Sequence, residues 1–506
     1  MPGYSHLPGR GRTTEPAELH RAQRRCLQGA KPPRQTSALT RHKLGCHNIQ
    51  HENPDNSEGA RQGAFAVPDS CVPGFLDSSF ANRQMKRARH SLFATTLGFL
   101  AIIASGCATA PVRIGTGVPE ASSAAGSAPS TIPQVLLISL DGFRRSYLDT
   151  DSVPTLHALA RGGVTAAAMI PSFPTLTFPN HYTIVTGLYP EDHGIVGNTI
   201  YDPEFKQLFT MSNAASRESR WWWGQPIWVT AEKQDKRAAT FFWPGSEVEI
   251  DSTRPTRWKP YDGKVTFDAR VDTVLSWLAL KGPQRISIVT LYFDEPDHSG
   301  HEYGPDSPKT AAAAARADSA VGRLMQGLRD RGMYDSVNVI VVSDHGMSAL
   351  SPDRVVYLDD VVDTAAVRIT SLSPDLAITP KDGDAAALLA KIRKLPHVQS
   401  WLKADVPARL HYNEGRRITP VVAVADDGWT IAIHGERRGP SGGAHGYDNA
   451  NASMHALFIA HGPAFKQGVT MPEFPNVDVY DLLAKLLKIK PAPNDGSLAP
   501  FSDVLR

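Results

Sequence analysis

A hydroxyl and several oxygen and nitrogen ligands stand at spacings that suit phosphoryl chemistry. Thr177 lies in Phe173-Pro-Thr-Leu-Thr-Phe-Pro179, between two prolines. Each proline fixes its own φ and turns its predecessor away from helix, so the spacing predicts a stiff turn that holds the Thr177 hydroxyl. Asn180 to Thr186, closed by Gly187, reads as a helix opening at that turn. A helix N-terminus carries free N–H groups and a partial positive charge, which suits an anion. Thr177 therefore reads either as a nucleophile beside a phosphate site or as a helix N-cap. Distant residues favour the nucleophile. Asp344 and His345 are adjacent, Asp297 and His301 are one helical turn apart, Asp141 closes an apolar run, and His445 sits between Gly443 and Gly446, where the backbone can turn it inward. Any one of these pairs reads equally as a salt bridge or a cap, and the information is in their coincidence. With no thiolate near them, nitrogen and oxygen coordination of Zn²⁺ is the default, and Mn²⁺ is the alternative.

The elements that must position these groups are legible as apolar runs. Gln134–Leu140, 285–293, 337–343 and 456–460 read as strands buried on both faces. Helical composition separates them, over 153–161, 307–331 and 477–487. The alternation predicts an α/β fold with a mostly parallel central sheet flanked by helices. Such sheets bind ligands beyond the carboxyl ends of their strands, which is where Asp141, Asp297 and Asp344 fall. The catalytic core is expected over 134–349 and 441–506. Within it, the tryptophan-rich stretch 199–285 is expected to leave the sheet and form part of a pocket wall, with core packing as the alternative for most of its aromatics. Residues 350–440 are expected to form a smaller inserted α+β subdomain, with a helix near 384–395 and a strand near 420–424.

The 506 residues carry a formal net charge of +2, which excludes a broad nucleic-acid surface. Residues 85–107 resemble a lipoprotein signal: a basic start at Met85-Lys-Arg, an apolar stretch over 92–104, then Ala104-Ser-Gly-Cys107. They imply export to the periplasm or cell envelope and a membrane anchor through lipid on Cys107. Residues 1–84 lack hydrophobic periodicity and read as disordered or as a mis-assigned leader, with Met85 as the true start. Residues 108–133 read as a flexible tether. Cys26, Cys46 and Cys71 all fall in the leader, so the body is expected to hold no disulfide and no thiolate metal site.

Taken together, several segments resemble the nucleotide pyrophosphatase/phosphodiesterase family of the alkaline phosphatase superfamily, in its bacterial type. They are Leu140-Asp-Gly-Phe-Arg144, Phe173 to His181, His193-Gly-Ile-Val-Gly-Asn198, Asp294-Glu-Pro-Asp297 with Gly300-His301, Ser343-Asp-His-Gly-Met347 and Gly443-Ala-His-Gly-Tyr447. The resemblance implies two zinc ions, one held by Asp141, Asp344, His345 and the Thr177 oxygen, the other by Asp297, His301 and His445. Two dications against three carboxylates leave a net positive charge, which favours an anionic phosphate. It further implies attack by Thr177 on phosphorus, a covalent phosphothreonine intermediate and a charge-sharing donor in Asn198. Phe178 and Tyr261 would stack a nucleobase, with Tyr292 lining the pocket. His181 and His193 belong to the motifs with structural roles. The expected activity is hydrolysis of nucleotide phosphodiester and pyrophosphate bonds to nucleoside 5′-monophosphates. The alternatives are a choline-type lipid head-group phosphodiesterase and a phosphomonoesterase of the same superfamily.

Overall fold

The computed structural model describes residues 133–435 and 440–506. The expected leader, the signal segment with Cys107 and all but the last residue of the tether lie outside them. Twelve strands carry the argument: β1 (Gln134–Leu140), β2 (Val164–Ala166), β3 (Ala238–Phe241), β4 (Arg257–Lys259), β5 (Ile288–Phe293), β6 (Val337–Val342), β7 (Val367–Ser371), β8 (Asp375–Pro380), β9 (Val398–Leu402), β10 (Val421–Ala425), β11 (Phe458–His461) and β12 (Val469–Met471). Eight of them form the central sheet, in the order β12-β2-β11-β6-β1-β5-β3-β4.

All seven residues of β1 are buried, which is why the strand reads as an unbroken apolar run. Successive side chains serve opposite faces. Val135 and Leu137 join a core with α2 (Thr177–Thr186) and α7 (Val479–Leu487). Leu136, Ile138 and Leu140 join a second core with α1 (Pro154–Gly162), α3 (Phe267–Leu278) and α5 (Pro308–Asp330). Each such aliphatic side chain contributes about 1.5–3 kcal/mol on burial. The sheet is thus covered on both faces, as a parallel sheet requires.

The expected α/β class and mostly parallel sheet are observed, with two differences in detail. β11 runs antiparallel to both of its neighbours, β6 and β2. The 199–285 stretch does not stay outside the sheet: β3 and β4 extend it beyond β5 in parallel register, and α3 packs against it. β3 is only four residues long, and β4 is the exposed edge strand Arg-Trp-Lys, so neither carries a long apolar signal.

Within 350–440, β7, β8, β10 and β9 form a separate antiparallel sheet in that order, covered by α6 (Ala385–Ile392). Asp375 opens β8 and is buried, and its Oδ1 accepts no hydrogen bond. Burial pushes this carboxyl up to about 7, against the pull of the Ser371 hydroxyl. A raised folded-state pKa gives stability that is present below the ordinary carboxylate range and lost as pH rises through about 7. Asp375→Asn should therefore leave the urea midpoint near wild type at about pH 4 and raise stability by up to about 4 kcal/mol at about pH 9.

Candidate active site

Three neighbouring parallel strands, β6, β1 and β5, end side by side. Each sends a carboxylate past its carboxyl end: Asp344, Asp141 and Asp297 respectively. Asp297 begins α4 (Asp297–Tyr303), which places His301 one turn later on the same face. The strand ends lock together through backbone N–H donors. Asp297 N–H donates to the Asp141 carbonyl at 3.0 Å, and Gly142 N–H donates to Asp344 Oδ1 at 3.1 Å. Gly142 has φ +63°, and a Cβ there would fall 2.8 Å from Asp297 Cα, so a side chain would push the two carboxylate-bearing loops apart. His445 arrives on the segment that the glycines allow. A Cβ on Gly442 would lie 2.0 Å from the His301 carbonyl oxygen, and without it the segment presses against α4.

The structure brings the expected ligands into two groups, Asp141/Asp344/His345 and Asp297/His301/His445, with the ligand atoms of each within 4.8 Å of one another. The imidazoles are oriented alike. His345 Nδ1–H donates to the Gly346 carbonyl, His301 Nδ1–H to Gly443 and His445 Nδ1–H to Thr175, each at 2.9 Å. A carbonyl only accepts, so Nδ1 carries a proton on each ring and Nε2 is the nitrogen turned inward. His301 Nε2 and His445 Nε2 lie 3.0 Å apart. His345 Nε2 lies 3.4 Å from Thr177 Oγ1 and 3.6 Å from Asp141 Oδ1. Thr177 thus stands beside the Asp141/Asp344/His345 group.

Thr177 is the first residue of α2, and Leu176 occupies the N-cap position with no side-chain cap. The N-cap reading of Thr177 therefore gives way, and the helix opens at Thr177 itself, before Asn180. What holds the turn is Asn180. Its Nδ2 donates to the carbonyls of Ser172, Pro174 and Leu176 at 2.9–3.2 Å, and its Oδ1 accepts from Ser172 N–H at 2.7 Å. Thr175 ties the same turn to the His445 segment, donating to the Tyr447 carbonyl and accepting from Gly446 N–H, both at 2.9 Å. His181, one turn below Thr177, binds the Thr177 carbonyl through Nδ1 at 2.9 Å and accepts from Ser139 Oγ at 2.8 Å. The sequence reading missed Asn180 and Thr175 as turn builders. The available signal was a short amide in the first turn of an apolar helix, where it is a poor helix former.

Charge at this point is unbalanced. Burial and the facing carboxylates Asp344 and Asp297 hold Asp141 well above the usual carboxylate range, although the Tyr292 hydroxyl donates to its Oδ2 at 2.6 Å. Burial also raises Asp297, with His301 and His345 pulling the other way. Burial works to raise Asp344 too, but His345 and His181 outweigh it and hold it well below that range. Asp141 Oδ1 and Asp297 Oδ1 are buried and accept no hydrogen bond, while Asp344 Oδ2 lies 3.0 Å from His345 Nε2 and 3.2 Å from His181 Nδ1. A buried carboxylate oxygen that accepts no hydrogen bond is costly, and three carboxylates converging on one place match the needs of hard or borderline cations. The donor set of three carboxylates, three imidazole nitrogens and one hydroxyl fits two divalent ions of the zinc type.

A cavity of about 440 Å³ opens beside Thr177, Asp141 and Asp297. Phe178, Tyr261 and Tyr292 all line it. Of the tryptophans, Trp222 and Trp243 line it, Trp228 belongs to the core and Trp258 is exposed. Trp221 and Trp223 instead pack against the buried Arg417 guanidinium at 4.8 and 4.1 Å, which pairs with Asp202 at 2.7 Å. Asn198 Oδ1 accepts from Phe178 N–H at 3.0 Å. That contact settles the amide's orientation, because the oxygen must face the N–H and leaves Nδ2 with its two hydrogens on the other side. His193 belongs to the framework: its Nδ1 accepts from Ile195 N–H and its Nε2–H donates to Thr183 Oγ1, with burial pushing its pKa down to about 3.

Residues 135–448 match the family model described as type I phosphodiesterase / nucleotide pyrophosphatase. A venom phosphodiesterase from Naja atra is 42% identical over 404 residues, which is 76% of this chain and 48% of that protein. Ectonucleotide pyrophosphatase/phosphodiesterase family member 1 from Mus musculus is 41% identical over 388 residues, 74% of this chain and 43% of that protein. The chain spans about half the length of the curated relatives it matches. Among solved structures, murine ectonucleotide pyrophosphatase/phosphodiesterase 5, an inactive threonine-to-alanine variant in complex with AMP, is 37% identical with a TM-score of 0.71, covering 74% of this chain and 100% of that one.

Proposed function

The chain belongs to the type I phosphodiesterase/nucleotide pyrophosphatase family, and from that premise we propose that it hydrolyses nucleotide phosphodiester and pyrophosphate bonds, releasing nucleoside 5′-monophosphates. One observation carries the reading: the Thr177 hydroxyl stands where the Asp141/Asp344/His345 group meets a cavity lined by Phe178 and Tyr261. Asp141, Asp344, His345 and Thr177 would hold one divalent ion, and Asp297, His301 and His445 the other. Zinc in those positions, or manganese in its place, supplies Lewis acidity that lowers the Thr177 hydroxyl pKa and offsets phosphate charge.

The chain's own groups then have defined tasks. Thr177 Oγ1 forms the new bond to phosphorus as the bond to the leaving oxygen breaks, giving a threonine-bound phosphodiester. Water then displaces the Thr177 oxygen and the nucleoside monophosphate departs. Asn198 Nδ2 donates to a non-bridging oxygen, where charge grows in the transition state. Phe178 and Tyr261 offer ring faces to the base. Binding of AMP by the solved relative supports a nucleotide in this cavity.

The basic residues of the motif loops support a diester over a monoester. A phosphomonoester is dianionic and calls for extra cations. Arg144 is engaged with Asp306 and Ser146, Arg145 with Asp149 and the Ala166 carbonyl, and Arg217 at the cavity mouth with Glu247. The nitrophenyl ester of thymidine 5′-monophosphate, nitrophenyl phosphate and nitrophenyl phosphorylcholine form the deciding panel. Preferential hydrolysis of the thymidine ester is expected; preference for either of the others replaces the reading.

Asn198 gives a second test. Asn198→Asp keeps an oxygen to accept the Phe178 N–H but removes the donor. Its kcat on the thymidine ester should fall by roughly 10²–10³, with helix content unchanged by circular dichroism. Export and lipid anchoring through Cys107 complete the proposal, supported by the signal-like segment 85–107. Labelled palmitate should enter wild-type protein in bacterial cells and not Cys107→Ala.

A further inference from the structure

The mouth of the cavity is built from three separate stretches of chain: residues 211–217, the turn at 244–248, and the loop carrying Tyr261. Tyr261 is 51% exposed. Its ring meets Phe242 and Tyr292 at angles of 66° and 67° between ring planes, with centroids 5.2 and 6.2 Å away. An aromatic wall so weakly packed presents a fixed face to a ligand only if its backbone is anchored, because ordering it during binding costs affinity.

Glu247 is that anchor. Its Oε1 accepts Tyr261 N–H at 2.7 Å, and its Oε2 lies 3.3 Å from Arg217 Nε. Its backbone carbonyl accepts from Arg254 Nη1 at 2.5 Å, which fixes the residue from behind. The Glu247 side chain is largely covered, at 22% exposed, while Arg217 is 71% exposed. Screening leaves the Arg217 pair weak, so the charge-assisted bond to Tyr261 N–H is the arm that matters.

We propose that Glu247 is a latch: a positioning residue that holds the Tyr261 wall at the cavity mouth and so sets affinity for the nucleoside part of the substrate, with no part in bond making at phosphorus. The proposal rests on the reading above, in which the cavity receives a nucleoside.

The test compares the thymidine nitrophenyl ester with bis(4-nitrophenyl) phosphate, which has no base, in the full chain. Glu247→Ala should raise KM for the thymidine ester about tenfold with kcat nearly kept, and its loss on that ester should exceed its loss on the base-free diester by about the same factor. Glu247→Gln retains a carbonyl to accept Tyr261 N–H and should recover most of the loss. Glu247→Ala combined with Tyr261→Ala should be no worse than Tyr261→Ala alone, because both remove one wall. Quenching of Trp222 and Trp243 fluorescence by thymidine 5′-monophosphate supplies a binding constant independent of turnover, and it should weaken by the same factor in Glu247→Ala. Equal losses on both substrates, additive losses in the double variant, or failure of Glu247→Gln to recover binding would each overturn the latch. A wild-type enzyme that hydrolyses the base-free diester without preferring the thymidine ester would overturn the nucleoside reading and the latch together. A wild-type preference that is undiminished in Glu247→Ala would overturn the latch alone.

Discussion

Thr177→Ala is expected to lower kcat on the thymidine nitrophenyl ester by three or more orders of magnitude, about 4 kcal/mol or more of barrier. In the proposed mechanism the hydroxyl is the whole of the nucleophile, and its neighbours have no group placed to substitute for it. The Asp141 and Asp344 carboxylates face the same centre but are buried at strand ends, and the Tyr292 hydroxyl is committed to Asp141 Oδ2. Thr177→Ser keeps Oγ and loses only a methyl group, so it should retain activity within about tenfold. The helix does not depend on the side chain, because Asn180 bonds the turn through the backbone carbonyls of Ser172, Pro174 and Leu176. Thermal unfolding of Thr177→Ala should therefore stay close to wild type, which separates lost chemistry from lost structure. Acid quenching during turnover should trap labelled phosphorus on wild-type protein and none on Thr177→Ala. Equal rates for the two proteins would remove Thr177 from the mechanism.

Removal of divalent cations should have an effect of similar size. Exhaustive dialysis against a chelator is expected to abolish hydrolysis to below about a thousandth of the starting rate and to lower the thermal midpoint. The second effect follows from the buried oxygens Asp141 Oδ1 and Asp297 Oδ1, which accept no hydrogen bond from the chain, beside the buried Asp344. With cations bound they have partners. Without them the three carboxylates repel one another at the ends of adjacent strands, and burial gives them no solvent relief. A ligand present at a thousandfold above its dissociation constant stabilises the native state by about 4 kcal/mol, so the midpoint shift is measurable by calorimetry. Zn²⁺ should restore both properties, and metal analysis should find two ions per chain. Full turnover after complete removal would refute the assignment of the Asp/His groups as metal ligands.

How much of this was readable beforehand depended on how local the signal was. β1, β5 and β6 are buried on both faces and announce themselves as apolar runs in the residue order. The carboxylates at their ends, the Asp297/His301 pair on one helix face and the glycines around His445 are all patterns within a few positions. They were sufficient for the α/β class and for naming the groups that converge. The short strand β3 and the exposed edge strand β4 carry no such pattern, because each is held by register with a neighbour across the sheet. The reversed direction of β11 is likewise a property of pairing, not of its own four residues.

The amino-acid order by itself determined which side chains have the chemistry to bind cations and attack phosphorus, since ligand type and helical spacing are covalent facts of the chain. Folding alone decided how those side chains are aimed. His345 takes its orientation from the next carbonyl, but His301 is turned by a carbonyl 142 positions away and His445 by one 270 positions away, and the Tyr261 backbone N–H is held by a carboxylate from another loop. Hydrogen bonds between remote segments form only after the sheet has placed their backbones within about 3 Å, and no local pattern encodes that placement.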